Sequence, residues 1–232
     1  MSFGTPHRHY RRIDSTNSRA RELAEAGAPH GTVVTAGEQT AGRGRRGRVW
    51  TAPGGKALLY SGILRPLDRR HLLLPLAVPL AVCAAAEQLR PGAKCEVKWP
   101  NDIWLDGHKL AGVLIEAKPQ DGWAVIGVGL NLAIEADEFP DELRQPAISL
   151  GGGVMPERAR RALDAQLDRW VAADPDAVLA EWRSRDALRG REVSWDGGAG
   201  MADGIEDSGD LVVVAAGGDR VVLGAGEVHL RL

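Results

Sequence analysis

Arginine and glycine are interleaved in one short stretch of the chain, GRGRRGR at residues 42–48. Glycine lets a backbone approach a ligand closely, and successive N–H groups in such a loop can form an anion-binding nest. Arginine adds a planar fork that pairs with a phosphate or a carboxylate through two hydrogen bonds at once. Since like charges this close repel, we expect the loop to be mobile when free and to be ordered by a small polyanion.

Two other interpretations of this loop stay open on the residues alone. It could be an ordinary solvated basic loop, or an arginine–glycine tether that binds nucleic acid. The loop follows a predicted strand directly, has no further Arg/Gly repeats around it, and has Trp50 as its one nearby aromatic residue. These features favour a site for a small anionic ligand.

A second group of polar residues, KWPND at 98–102, lies where one predicted strand ends and the next begins. Lys98 supplies a cation, the asparagine can donate and accept hydrogen bonds, and Asp102 can bind Mg²⁺ or orient a base. A turn at Gly107 predicts a hairpin that returns Lys109 to the same end of the sheet. Two lysines beside an Asn-Asp pair favour a site over an ordinary polar hairpin.

Asn131 stands in an otherwise apolar strand pattern, GVGLNL at 127–132. A buried amide that lacks a hydrogen bond costs about 1–3 kcal/mol. Either a structural hydrogen bond or a ligand contact would meet this demand, and the sequence leaves both open.

The elements around these residues predict an α+β fold with a central mixed β-sheet flanked by helices. Helices are predicted from the N-cap residues 14–17 to Gly27, over 72–90, and from Pro156 and Asp174-Pro175. Strands are predicted at 32–36, 57–64, 94–99, 102–106, 109–117 and 123–132. The strands cluster rather than alternating with helices, which indicates a mixed sheet instead of a doubly wound one.

The sequence pattern changes after residue 187, where glycines separate short apolar segments. Five strands are predicted there, at 191–196, 200–206, 211–216, 220–225 and 227–232. Such a run is typical of a small β-barrel. We therefore predict a large N-terminal domain over 1–186 and a small C-terminal domain over 187–232.

Composition restricts the classes of protein that fit. Lys and Arg total 29 against 31 Asp and Glu, for a net charge of −2, which gives no support to a general nucleic-acid or membrane-surface binder. Cys83 and Cys95 lack metal-ligand spacing and lie in apolar surroundings, as expected for reduced core thiols. The most apolar run, 72–86, is shorter than the roughly 20 residues of a membrane span. These features predict a cytoplasmic protein.

Taken together, the motifs resemble the biotin protein ligase family, also called biotin–acetyl-CoA-carboxylase ligases. The resemblance runs from Ser15 to the C-terminus, which is nearly the whole chain. The motifs that carry it occur in the family's order and spacing: DSTN at 14–17, EQTAGRGRRGRVW at 38–50, KWPND at 98–102, KLAGVLIE at 109–116 and GVGLNL at 127–132. The resemblance implies the biotin/lipoyl ligase catalytic fold, which is class II synthetase-like. The five-strand C-terminal segment is similar to the family's SH3-like domain.

The resemblance also implies a two-step reaction with biotin, ATP and Mg²⁺. The biotin carboxylate first attacks the α-phosphate of ATP, which gives biotinyl-5′-AMP and pyrophosphate. A lysine of the biotin carboxyl carrier domain of an acyl-CoA carboxylase then attacks the mixed anhydride, and AMP leaves. A lipoate–protein ligase of the same fold is the nearest alternative. A nucleic-acid-binding module that uses the Arg/Gly loop is an alternative of another class.

Site residues are carried over by position in these motifs. The residues implied to bind biotin are Ser15, Thr16, Asn17, Gln39, Arg43, Gly44, Arg45, Lys109 and Gly112. Those implied to bind ATP are Arg48, Trp50, Lys98, Asn101, Asp102 and Asn131. Lys109, Arg45 and Asp102 are implied to be catalytic: Lys109 would bridge the biotin carboxylate and the phosphate, and Asp102 would also hold Mg²⁺.

Many bacterial relatives carry an N-terminal DNA-binding domain, whereas here some 13 residues precede Asp14-Ser15-Thr16. The expectation is therefore a short form without DNA-binding regulation. We also expect no membrane partner, and a monomer or a weak homodimer linked to ligand.

Overall fold

A seven-stranded mixed sheet forms the centre of the molecule. The computed structural model describes residues 2–140, 143, 145–224 and 228–230. The sheet comprises β1 (His7–Tyr10), β2 (Val33–Ala36), β3 (Ala57–Leu64), β4 (Cys95–Lys98), β5 (Asp102–Leu105), β6 (His108–Lys118) and β7 (Trp123–Asn131). Its spatial order is β1-β2-β3-β7-β6-β5-β4. Only the β1–β2 pair is parallel among the pairs between these described strands, so the predicted mixed sheet is confirmed.

Helix α1 (Thr16–Glu25) covers one face of the sheet. Ser15 is its N-cap, because the Ser15 side chain accepts a hydrogen bond from the backbone N–H of Ser18. Gly27 follows the helix at φ 83°, the left-handed conformation that commonly ends a helix. Ala20 and Ala24 pack against the sheet in a small apolar cluster. The cap thus places residues 15–17 at the edge of the sheet surface.

Three further helices pack in the main core with the opposite face of the sheet. They are α2 (Leu74–Leu89), α3 (Pro156–Val171) and α4 (Pro175–Ser184). Helix α2 is apolar on nearly every side, as expected for a helix buried between a sheet and other helices. Cys83 and Cys95 are buried and unbridged, which confirms the prediction of core thiols.

The hairpin between β5 and β6 determines where the lysine and aspartate lie. Asp106 and Gly107 have φ values of 52° and 75°, the positive values of the type I′ turn that an Asp-Gly pair favours. The register between β5 and β6 shifts after Ile103, so Leu110 is an extra residue on β6. Such bulges re-aim neighbouring side chains. Here the bulge lies directly beside Lys109.

The C-terminal strands form a separate five-stranded antiparallel sheet in the order β11-β10-β9-β8-β12. Its strands are β8 (Glu192–Trp195), β9 (Gly198–Ile205), β10 (Leu211–Ala215), β11 (Arg220–Leu223) and β12 (Val228–Leu230). All five predicted strands are present, although residues 225, 227, 231 and 232 of those predictions lie outside the described part of the chain. The inner side of this sheet belongs to the same apolar core as α2 and α4.

Strand β1 is absent from the sequence-based prediction. Its residues, HRHY, show no apolar alternation, and the strand is held by parallel pairing with β2. Across the described ranges, no helix combines the length and the apolar character needed to cross a membrane.

Candidate functional site

A cavity of about 340 Å³ opens where α1, the Arg/Gly loop and the ends of β5, β6 and β7 meet. Every site residue predicted from the sequence lines it. These are Ser15, Thr16, Asn17, Gln39, Arg43, Gly44, Arg45, Arg48, Trp50, Lys98, Asn101, Asp102, Lys109, Gly112 and Asn131. The structure therefore brings together all of the predicted residues, while their individual roles stay predictions.

The charge of the cavity is strongly positive although the chain is slightly acidic. Its cationic side chains are Arg43, Arg45, Arg46, Arg48, Lys98 and Lys109. Asp102 carries the one carboxylate among the described residues that line it. A concave surface lined by cations raises the local concentration of anions. The cavity is therefore suited to a small ligand with several negative charges.

A buried polar cluster forms one end of the cavity. Gln39 Oε1 accepts a hydrogen bond from the backbone N–H of Thr16, at 2.7 Å, and lies 3.0 Å from Thr16 Oγ1. Ser61 Oγ lies 2.8 Å from Thr16 Oγ1 and 2.6 Å from Asn17 Oδ1. Asn17 Nδ2 donates to Glu116 Oε2 at 2.9 Å. These groups can match a small polar ring that both donates and accepts hydrogen bonds.

Glycines of β6 and β7 form the floor of the cavity. Side chains from the opposite wall pack directly against their backbone. A Cβ built at Gly127 would lie 2.1 Å from Asn17 Oδ1, and one at Gly129 would lie 2.3 Å from Trp50 Cε2. At Gly112 a Cβ would approach the Trp50 ring to 3.1 Å. Asn17 and Trp50 can occupy their positions only over bare backbone.

The Arg/Gly loop is folded into a small hairpin. Gly44 N donates to Arg48 O at 2.8 Å, and Trp50 N donates to Gly42 O at 3.0 Å. Arg46 takes a φ of 53°, a left-handed conformation at the tip. The predicted mobility of the free loop stays a prediction.

Two arginines connect this loop to the rest of the cavity. Arg43 Nη1 lies 2.9 Å from Glu116 Oε1, and Arg45 Nη1 donates to Asn101 Oδ1 at 3.4 Å. Burial lowers the pKa of Arg45 from its ordinary value, with Arg46 as the next cause. The loop thus lies across the cavity from the polar cluster to the KWPND turn.

The predicted β5–β6 hairpin adds a further cation, Lys109, to the arginines that the loop contributes to the cavity. Lys109 Nζ lies 2.7 Å from Asp102 Oδ1 and 5.7 Å from the centre of the Trp50 ring. Lys98 is buried, donates to the carbonyl of Val228 at 2.9 Å, and has a pKa lowered by that burial. The C-terminal sheet therefore supplies part of the wall near Lys98.

The side-chain amide of Asn131 makes a structural hydrogen bond to the backbone, which was one of the two possibilities that the sequence left open. Its Nδ2 donates to Ile148 O at 3.1 Å and approaches Lys109 O at 3.5 Å. The amide N–H₂ thus has a structural role, while the residue still lines the cavity. The indole N–H of Trp50, by contrast, is buried and meets no acceptor among the described residues.

Sequence reasoning did not identify Ser61, Glu116, Gly127 or Gly129. Ser61 is the one hydroxyl-bearing aliphatic residue in the apolar strand ALLYSGIL, and Glu116 ends the quoted motif KLAGVLIE. The alternating glycines of GVG were a further signal, because glycine within a strand often marks the close approach of another group.

Comparison with known proteins places this chain among the biotin and lipoate protein ligases. Residues 9–132 match the model of the biotin/lipoate A/B protein ligase family. A biotin–[acetyl-CoA-carboxylase] ligase of Mycobacterium tuberculosis is 38% identical over 94% of this chain and 86% of its own. The chain belongs to the biotin/lipoate A/B protein ligase family.

Two further relatives show how far the likeness extends. The bifunctional ligase/repressor BirA of Bacillus subtilis is 41% identical over 76% of this chain, yet that match covers 53% of the relative. This chain thus spans about half the length of the Bacillus ligase/repressors that it matches. The biotin protein ligase of Aquifex aeolicus, solved with biotin and ATP, superposes with a TM-score of 0.80 at 27% identity, covering 98% of this chain and 99% of that one.

Proposed function

We propose that this chain is an ATP-dependent biotin–protein ligase. In the first step a biotin carboxylate oxygen bonds to the α-phosphorus of ATP, and the bond from that phosphorus to the leaving pyrophosphate breaks. In the second step the amine of an acceptor lysine bonds to the acyl carbon, the bond to AMP breaks, and the amine loses a proton. The acceptor is the biotin carboxyl carrier domain of an acyl-CoA carboxylase. The names of the relatives and the biotin and ATP of the Aquifex structure support this proposal.

The observation that carries the proposal is one cavity with two different ends. A cluster of neutral donors and acceptors, Thr16, Asn17 and Gln39, lies at one end, and Lys109 and Asp102 lie at the other. Biotin has the matching form, with a polar ureido ring at one end and a carboxylate at the other. The ring would lie against the cluster, and the carboxylate would point toward Lys109.

In this proposal, positively charged side chains lower the reaction barrier by stabilising negative charge. A carboxylate and a triphosphate repel each other, and negative charge builds at the α-phosphate as the new bond forms. Lys109 and Arg45 are fixed cations where that charge develops, and such groups need little reorganisation during reaction. The loop of residues 42–48 would also keep water from the reactive mixed anhydride.

The ATP side of the cavity would use the remaining predicted residues. Trp50 would pack on or near adenine. Lys98, Asn101 and Arg48 would face the phosphates. Asn131 would limit the nucleotide side of the cavity.

Magnesium fits this site as a partner of ATP. Among the described residues, no group of three or more His, Cys, Asp or Glu side chains converges on one point. Asp102 supplies one carboxylate, and Mg²⁺ in nucleotide sites is typically bound by one or two carboxylates and by substrate phosphates. The ion would neutralise phosphate charge. Asp102 could also take the proton of the incoming lysine.

Exchange of labelled pyrophosphate into ATP tests the first step. We expect exchange with biotin, none without an acid, and little with lipoate. An acceptor carrier domain should then become labelled with biotin only when ATP is present. Exchange that runs with lipoate and not with biotin would replace this proposal by a lipoate ligase of the same fold.

A further inference from the structure

We infer that Glu116 is a positioning residue that orients the Asn17 amide and anchors the Arg/Gly loop at the biotin end of the cavity. This inference rests on the proposed biotin ligase function. Glu116 lies near the end of β6, and its side chain is 23% exposed. It is remote in sequence from both of its partners, by 99 residues from Asn17 and by 73 from Arg43.

The first part of the inference follows from the direction of the hydrogen bonds. A carboxylate only accepts, so Asn17 must turn its N–H₂ toward Glu116 Oε2, at 2.9 Å. Its Oδ1 then faces Ser61 Oγ, at 2.6 Å. Only Ser61 can supply the proton of that contact, so the Ser61 hydroxyl donates to Asn17.

Counting hydroxyl protons in the same way determines the direction of the hydrogen bond between Ser61 and Thr16. Since Ser61 has given its single proton to Asn17, the 2.8 Å contact between Ser61 Oγ and Thr16 Oγ1 needs the proton of Thr16. Gln39 Oε1 still receives the backbone N–H of Thr16 at 2.7 Å. One carboxylate therefore sets the donor and acceptor directions along the whole row from Asn17 to Thr16. With a neutral amide in its place, only the longer hydrogen bond from Asn17 Nδ2 to Leu114 O, at 3.4 Å, would still favour this orientation of the Asn17 amide.

The second part of the inference concerns the loop. Arg43 Nη1 lies 2.9 Å and 3.1 Å from the two oxygens of Glu116. Both partners of Glu116 line the cavity, one from α1 and one from the loop. Hydrogen bonds to a charged group are stronger than neutral ones. The position of the loop and the orientation of Asn17 are therefore coupled through one side chain that itself contacts neither reacting atom.

Glu116→Gln tests both parts because it keeps the size of the side chain and removes its charge. In biotin-dependent pyrophosphate exchange we expect the KM for biotin to rise about tenfold or more, from the loss of charge-assisted hydrogen bonds. The KM for ATP should stay within about twofold, because these contacts lie at the biotin end. Glu116→Asp, which keeps the charge, should restore part of the biotin affinity. Glu25→Gln is the matched control, since Glu25 pairs with Lys118 on the surface at 2.9 Å.

A double-mutant cycle separates positioning from general damage. In an Asn17→Ala background, Glu116→Gln should change the biotin KM far less than it does in the wild type, because the amide it orients is gone. If Glu116→Gln unfolds the protein, Ser61→Ala tests the same row from the other side of Asn17. Additive effects on the biotin KM would overturn the inference. They are measured for Glu116→Gln with Asn17→Ala or, if Glu116→Gln does not fold, for Ser61→Ala with Asn17→Ala.

Limited digestion with trypsin tests the loop anchor without activity. Cleavage after the arginines of residues 43–48 should be faster in Glu116→Gln than in the wild type, and unchanged in Glu25→Gln. Equal cleavage in all three would remove the anchoring role. A wild-type protein without biotin-dependent exchange would instead refute the proposed function, so the two failures are distinguishable.

Discussion

Lys109 and Asp102 form an ion pair across the β5–β6 hairpin, with 2.7 Å between Nζ and Oδ1. Both side chains are largely buried, at 24% and 11% exposure. The pair lies beside the one-residue bulge at Leu110, and a type I′ turn closes the hairpin. The ammonium is thus held in place before any substrate arrives. In a reaction that joins two anions, a fixed cation of this kind lowers the barrier without having to move.

Replacing Lys109 with glutamine should therefore abolish most adenylate formation. We expect kcat/KM for pyrophosphate exchange to fall by about 10²–10³, the range found when one preorganised donor is removed. The midpoint of thermal unfolding should fall, because the largely buried Asp102 loses its ion-pair partner, so the exchange assay is run well below that midpoint. Lys118→Gln on the same strand is the control, since Lys118 pairs with Glu25 at the surface. Near-normal exchange in a folded Lys109→Gln protein would contradict the role of Lys109.

Two single-methyl substitutions in β7 should separate the biotin side of the cavity from the ATP side. Alanine at Gly127 would place its Cβ 2.1 Å from Asn17 Oδ1, whereas alanine at Gly129 would place it 2.3 Å from Trp50 Cε2. Each side chain must then move. We expect Gly127→Ala to raise mainly the KM for biotin, and Gly129→Ala to raise mainly the KM for ATP, each by about tenfold or more.

Initial rates of exchange with each substrate varied in turn measure this pair of effects. Gly54→Ala is the control, because its Cβ would lie 4.0 Å from the nearest atom outside its own neighbours. If both substitutions raised the same KM, the assignment of Asn17 to biotin and of Trp50 to ATP would be wrong.

The C-terminal sheet should unfold together with the rest of the chain. Lys98 Nζ donates to Val228 O at 2.9 Å, and Trp99 Nε1 donates to Gly209 O at 3.1 Å. The proposed boundary near residue 187 therefore divides the chain in sequence, while the apolar core continues across it. We expect calorimetry of the full chain to show one transition, with equal calorimetric and van't Hoff enthalpies.

Leu211→Ala tests this coupling. Leu211 is fully buried in β10, so the substitution should cost about 2–5 kcal/mol and lower the midpoint of that single transition. Val222→Ala, at a side chain that is 40% exposed, is the control. Two resolved transitions, of which Leu211→Ala shifts only one, would show that the C-terminal domain is energetically independent.

The sequence alone was sufficient to predict those parts of the site whose residue types are unusual for an ordinary loop, turn or helix cap. The Arg/Gly loop, the KWPND turn and the cap at Ser15 carry residue types that few other local structures explain, and all of them line the cavity. A turn as specific as Asp106-Gly107 also determines which side chains meet across its hairpin. The chemistry of the site was therefore accessible from the chain alone.

The remainder depends on contacts between distant residues. Ser61 looks like any small residue of a buried strand until the fold brings Asn17, 44 positions earlier in the chain, to its hydroxyl. Glu116 has the same property, since its two partners come from α1 and from the loop. Strand β1 exists because β2 offers a parallel edge, and nothing within HRHY itself indicates it.

A buried acid away from the cavity should make stability depend on pH. Asp164 of α3 accepts a hydrogen bond from Tyr60 Oη at 2.9 Å and contacts the guanidinium of Arg160. Burial raises the pKa of Asp164 from 3.8 to about 6, against the opposing effects of Tyr60 and Arg160. The folded protein thus holds this proton more tightly than the unfolded chain does. The contribution of Asp164 to stability is then fully present below about pH 4 and is lost as the pH rises through about 6.

Asp164→Asn isolates this contribution because asparagine does not titrate. The free energy of unfolding should be measured by denaturant titration for both proteins from pH 4 to pH 7.5. We expect the wild-type value minus the Asp164→Asn value to decrease between about pH 4 and pH 6 and to be constant above pH 7, as linkage requires for a raised acid pKa. All other titrating groups cancel in that difference to the extent that the substitution leaves them undisturbed. A difference that rises with pH would mean that the ion pair with Arg160 outweighs burial and that the pKa of Asp164 is lowered instead.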